Sequence, residues 1–101
     1  MTCVHPVVVT RRAAREIAEA ADWWSTNRSN APALFRMEIA RAFQLVSARP
    51  EIGASAIDAR LAGVRRVLLS RIRYHLYYRV ASDTVEILAL WHTSRAAGPD
   101  V

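Results

Sequence analysis

VRRVLLSRIRYHLYYRV, residues 64–80, is the stretch on which the fold of this chain turns. It holds five arginines (Arg65, Arg66, Arg71, Arg73, Arg79), three tyrosines and one histidine, and no acid. Apolar, β-rich residues on both sides of a polar centre predict two strands, Val64–Leu69 and Tyr74–Val80, opened by Gly63. Side chains of a strand alternate between faces, so Arg65, Val67 and Leu69 point one way and Val64, Arg66 and Leu68 the other. In the next strand Tyr74, Leu76 and Tyr78 are expected to face the core. His75, Tyr77 and Arg79 are expected on an open face, because helices packed on a sheet cannot bury a comb of charges.

Before this hairpin the pattern is helical. Val4–Val9 is short, β-branched and apolar, and predicts a strand. Thr10 is placed to cap a helix over Arg11–Thr26, with an apolar stripe at Ala14, Ile17, Ala18, Ala21 and Trp24. Glu16, Glu19 and Asp22 lie off that stripe. Asn27–Asn30 is a polar break. Asn30 is expected to cap a second helix, with Pro32 in its first turn, running to about Ala48. Its stripe is Phe35, Ile39, Ala42, Phe43 and Val46, and Arg49-Pro50 ends it. Pro50–Ala62 carries mixed signals and is expected to be a loop.

After the hairpin, a turn at Ala81–Thr84 leads to a last strand, Val85–His92. Residues 93–101, with Gly98-Pro99, are expected to be irregular. The order is β-α-α-β-β-β: an α+β fold with a helical hairpin on one face of a small, mainly antiparallel sheet. At 101 residues one domain, 1–101, is expected. The last strand is apolar on both alternations: Val85, Ile87 and Trp91 on one, Leu88 and Leu90 on the other. Part of the second sheet face is therefore expected to be covered, by another chain if this short one cannot do it.

Composition narrows the function classes. No run approaches the ~18 apolar residues of a membrane span, and no signal peptide is apparent, so a cytoplasmic protein without a membrane partner is expected. Cys3 is the sole cysteine and allows no internal disulfide. No metal-ligand cluster and no cofactor motif is visible. The net charge is +5 and all fourteen basic residues are arginine. Residues 1–59 are nearly balanced, with seven arginines and six acids, whereas residues 60–79 hold six arginines and no acid. These arginines are either solvated and stacked on tyrosines, or they meet an anionic partner such as nucleic acid or an acidic protein segment. Local self-repulsion favours the second reading.

Three pieces of sequence resemble the RelE/ParE superfamily of type II toxin–antitoxin systems. They are ARPEIG (Ala48–Gly53), GVRRVLLSRIRYHLYYRV (Gly63–Val80) and VEILALWHTSR (Val85–Arg95). The tyrosine-rich strand ending Tyr-Arg-Val, then Val-Glu-Ile-Leu and a histidine closing the last strand, looks like the ParE branch. That resemblance implies a toxin that inhibits DNA gyrase and forms a hetero-oligomer with a cognate antitoxin from the same operon. It also implies a surface for antitoxin and target, assigned here to Arg65, Arg66, Arg73, Tyr77, Arg79, His92 and Arg95.

The RelE branch implies instead a ribosome-dependent endoribonuclease acting on mRNA. Cutting RNA through its 2′-OH needs a base, cations for the phosphate and an acid for the leaving oxygen. His75, His92, Arg73 and Arg79 are the candidates for such work. The RelE pattern is broken, however. His75 stands where nuclease relatives place arginine, no glutamate follows Gly53, and no tyrosine follows Tyr78. No catalytic residue is therefore assigned. A family member that binds antitoxin without being toxic is a further alternative.

Overall fold

The computed structural model of the protein describes residues 4–101, so Cys3 lies outside the described residues. Seven elements follow one another: β1 (Val7–Val9), α1 (Arg11–Asn27), α2 (Leu34–Ala48), β2 (Ala54–Ser55), β3 (Arg65–Leu69), β4 (Tyr74–Ala81) and β5 (Thr84–His92). The sheet runs β1-β5-β4-β3-β2. All pairings are antiparallel except β1 on β5, which is parallel. The expected α+β architecture is present, with two helices packed against the sheet. It gains β2, a two-residue edge strand inside what the sequence suggested was a loop.

The helix starts are set by hydrogen bonds. The Thr10 hydroxyl accepts the Ala13 N–H at 3.2 Å and donates to the Ile87 carbonyl at 2.9 Å, so one side chain caps α1 and ties it to β5. Asn30, the expected cap of the second helix, does not serve. That helix begins at Leu34, and Ala33 offers no side-chain cap. The Ala31 carbonyl is instead taken by the Trp24 indole at 2.9 Å and by the Leu34 N–H in a tight turn.

The buried face of α1 is rotated from the expected stripe. Ala13, Ala20 and Trp24 are buried, Ile17 and Ala21 are partly buried, and Ala14 and Ala18 are exposed. Glu16 lies on the rotated face. Its carboxylate accepts the Leu90 N–H at 3.0 Å, filling the β5 edge beyond the reach of β1, so it faces the sheet and not the solvent. On α2, Phe35, Ala42 and Val46 are buried as expected, with Ile39 and Phe43 packed at the margin of the core.

The main core lies between helices and sheet and is built on Tyr78, Leu76, Ile87, Val85 and Val46, all fully buried. A second apolar cluster, Val64, Tyr77, Leu88 and Ala89, occupies the other sheet face. A register shift joins the two. Tyr77 pairs with Ala89 but Tyr78 pairs with Ile87, so Leu88 is an extra residue in β5. Leu88 and Ala89 therefore share the second face, and Leu90 returns to the helix side. This corrects the strict alternation assumed for the last strand and explains why both of its alternations are apolar.

The second face is covered by this chain itself. Ala56, Ala59 and Val101 pack on its cluster, and the Trp91 indole donates to the Ala97 carbonyl at 2.7 Å. Arg60 forms an ion pair with Asp100 at 2.8 Å, and Arg12 donates to the Asp100 carbonyl at 2.7 Å. The exposed pair raises the Arg60 pKa and lowers that of Asp100, each through their mutual hydrogen bond. Among the described residues, no helix is long and apolar enough to cross a membrane.

Candidate functional site

The arginine-rich hairpin divides its charges between the two faces of the sheet. Arg65 lies on the helix side, where its guanidinium donates to the carbonyl of Gly53 at 2.7 Å and of Glu51 at 3.3 Å. Arg66 lies on the second face and donates to the Tyr77 hydroxyl at 3.2 Å. Arg79 meets its cross-strand partner Glu86 at 2.6 Å. Arg71 reaches Glu38 of α2 at 3.5 Å. Acids missing from the segment are thus supplied by α2, β5 and the C-terminal stretch to Arg71, Arg79 and Arg60, which offsets part of the expected self-repulsion.

Among the described residues, Arg65 and Arg66 rest on these neutral acceptors alone. Among the described residues Arg73 has neither an ion-pair partner nor a side-chain hydrogen bond. It occupies the left-handed backbone region at φ 64°, where glycine or asparagine sits more cheaply. Its carbonyl accepts the Thr93 N–H at 3.0 Å, which fastens the β3–β4 turn to the end of β5.

The two candidate proton-transfer groups are kept apart. His75 pairs with Trp91 and lies on the second face, edge-on to Tyr77. His92 pairs with Tyr74 and lies on the helix side, its ring perpendicular to Tyr74 at 5.0 Å. Successive cross-strand pairs point to opposite faces, so no substrate on one face meets both imidazoles. Burial first, and then the Arg66 charge, lower the His75 pKa. His92 shares a hydrogen bond of 2.7 Å with Ser94. Burial of the Tyr74 ring raises its pKa, partly offset by Arg95.

The structure therefore gathers the seven assigned binding residues into no single patch. Tyr77, expected in the open, is only 5% exposed beneath the chain's own C-terminal stretch. Arg95 lies over the Trp91 ring at 3.9 Å. His92 and Arg73 line one concavity together with Trp23, Arg28 and Tyr74. A second groove of about 520 Å³ runs between α2 and β3, lined by Arg41, Leu45, Leu68 and Arg71, with Glu38 in its wall.

Glu38, 7% exposed on an apolar helix face, was missed in the sequence because its partners Arg41 and Arg71 declare themselves only in three dimensions. Trp23 was also missed. A tryptophan doublet on a helix that packs on one face was the available signal, since only one of the two can be buried.

The architecture and chain length match known proteins. The family model for the ParE toxin of type II toxin–antitoxin systems, parDE, matches residues 7–97. The chain belongs to the ParE toxin family. A solved chain from the chromosomal ParDE toxin–antitoxin system of P. aeruginosa has the same fold, with a TM-score of 0.70 and 19% identity. The alignment covers 92% of this chain and all (100%) of that one. No curated protein matches in sequence. The matched span places the Pro50–Gly53 turn, the basic hairpin and β5 all within the ParE toxin domain.

Proposed function

We propose that this ParE-family chain inhibits DNA gyrase by binding, without covalent chemistry of its own, in the cytoplasm, and that a cognate antitoxin neutralises it in a hetero-oligomer. The observation that carries this reading is the placement of His75 and His92 on opposite sheet faces. General acid and base must converge on one substrate, and each contributes about 10²–10⁴-fold in rate. Arg79, a candidate phosphate clamp, is already held by Glu86. A binder, by contrast, needs only surface.

The groove between α2 and β3 suits the antitoxin. β2 pairs with Arg65 and Arg66 only, so the outer edge of β3 from Val67 to Leu69 is open for an added strand. Leu45 and Leu68 are 41% and 58% exposed beside it, and Arg41 and Arg71 offer charge to an acidic segment. Raised salt is expected to slow association more than it speeds dissociation.

The deciding experiment expresses the protein and assays DNA supercoiling and mRNA integrity separately. Loss of gyrase supercoiling with intact mRNA, unchanged by His92→Ala, is expected. Ribosome-dependent mRNA cutting that disappears with His75→Ala or His92→Ala, in a variant that still folds, overturns the reading in favour of an endoribonuclease.

A further inference from the structure

We propose that the cleft between the C-terminal half of α1 and the end of the β4–β5 hairpin binds a single-stranded nucleic acid segment, with one base stacked on Trp23 and the flanking phosphates held by Arg73 and Arg28. Two hollows of about 450 and 110 Å³ meet there and share Trp23, Tyr74 and His92. Trp23 is 49% exposed while its neighbour Trp24 is buried, so about half of the indole surface is open to a ligand. The perpendicular Tyr74 and His92 rings line both hollows beside it.

The charges around these rings are unequally engaged. Both oxygens of Glu16 are taken, one by the Leu90 N–H and the other by Arg12 at 3.2 Å. Glu19 lies 3.7 Å from Arg15, and Arg71 is paired with Glu38. Among the described residues, Arg28, Arg73 and Arg95 have no carboxylate. Arg28 rests over the Trp23 ring at 5.8 Å, a contact that a base can replace or share.

The Arg73 backbone adds an independent argument. A turn at φ 64° is served better by asparagine or glycine, so the turn geometry alone does not call for an arginine. A flat half-exposed indole between guanidinium groups fits a base and its phosphates better than an acidic peptide, which would use the charges and leave the ring idle. The smaller hollow admits one planar group, and a duplex keeps its base faces stacked. The inference does not depend on gyrase as target: Arg73, His92 and Arg95 are shared with the surface assigned from the family resemblance, but Trp23 and Arg28 are not, and the binding test contains no gyrase.

The test is fluorescence anisotropy with a labelled oligothymidylate and the full chain at several salt concentrations, without gyrase or ribosomes. Two phosphate contacts, one for Arg73 and one for Arg28, predict a slope of log K on log salt of about −1.4. Trp23→Ala is expected to weaken binding about 5- to 100-fold and Trp23→Phe to restore most of it. Arg73→Asn is expected to weaken binding while the thermal midpoint stays or rises, because asparagine suits the turn. Polyglutamate or duplex DNA binding as tightly as the oligothymidylate overturns the proposal. So does a Trp23→Ala variant with unchanged affinity, or no binding at low salt.

Discussion

The Tyr78 hydroxyl accepts the Gly53 N–H at 2.9 Å, and a Cβ on Gly53 would lie 2.6 Å from that same oxygen. The hydroxyl also donates to the Pro50 carbonyl at 2.7 Å. Tyr78 is fully buried, and burial is the main cause that raises its pKa. The turn that ends α2 is thus moulded onto β4. The carbonyls of Glu51 and Gly53 are bound in addition by Arg65.

Gly53→Ala is expected to cost about 1–3 kcal/mol, since both Tyr78 and the Arg66 carbonyl, 2.9 Å from the new carbon, must give way. Tyr78→Phe strands a buried N–H and is expected to cost about 1–3 kcal/mol. The double variant should lose less than the sum, because removing the hydroxyl opens room for the methyl group. Urea unfolding of the four proteins measures this, and strict additivity would contradict the contact.

Phe35 is 3% exposed and stacks near Trp24 and Tyr74, whereas Ile39 sits at the core margin. Phe35→Ala is expected to destabilise by about 3–5 kcal/mol and Ile39→Ala by less. Equal losses in denaturant titrations would place the centre of the helix–sheet core elsewhere.

Ending the chain after Arg95 should uncover Tyr77, Val64, Leu88 and Ala89 on the second sheet face. Increased binding of a hydrophobic dye and a lower thermal midpoint are the expected results. A truncated protein that binds no more dye than the full chain would show that the C-terminal stretch does not shield this cluster.

His75 gives stability a pH dependence of definite sign. Its folded pKa lies below the ordinary 6.5, through burial and then Arg66. As pH falls below about 6.5 the unfolded chain binds the proton first. Stability is therefore lost between that value and the lowered folded one, and is complete above 6.5. Partial exposure keeps the effect small. Denaturant midpoints taken above and below this window should converge between wild type and His75→Gln at high pH and separate at low pH. A wild type that gains stability on acidification relative to the variant would reverse the assignment.

Several expectations held because they rest on local chemistry. Thr10 caps α1 since a hydroxyl one residue before a helix finds free N–H groups whatever the tertiary context. The β-branched and aromatic tracts became β3, β4 and β5 within a residue or so of their expected ends. Tyr74, Leu76 and Tyr78 faced the helices as their alternation required. The family resemblance rested on the Pro50–Gly53 turn and the tyrosine strand, and these prove to be in direct contact.

The failures share a cause: each depended on which distant group arrives. Asn30 does not cap because the helix starts later, at Leu34, after a turn at Ala31 that the Trp24 indole binds, and β2 pairs with the edge that β3 offers. The candidate site was less legible than the fold. Glu16 and Glu38 were taken for solvent-facing acids or passed over, yet one completes a sheet edge and the other receives Arg71.

By itself the sequence determined the α+β order, the strand faces on β4 and the ParE-type resemblance, since period, capping and turn chemistry act over a few residues. Only the tertiary structure decided where the charges and histidines stand. An extra residue at Leu88 switches the faces of β5, carboxylates distant in the chain meet Arg60 and Arg71, and Glu86 meets Arg79 across the hairpin. Pairing register then sets His75 and His92 on opposite sides of the sheet. Charge pairing and register are contacts between residues far apart in the chain, and no local pattern encodes them.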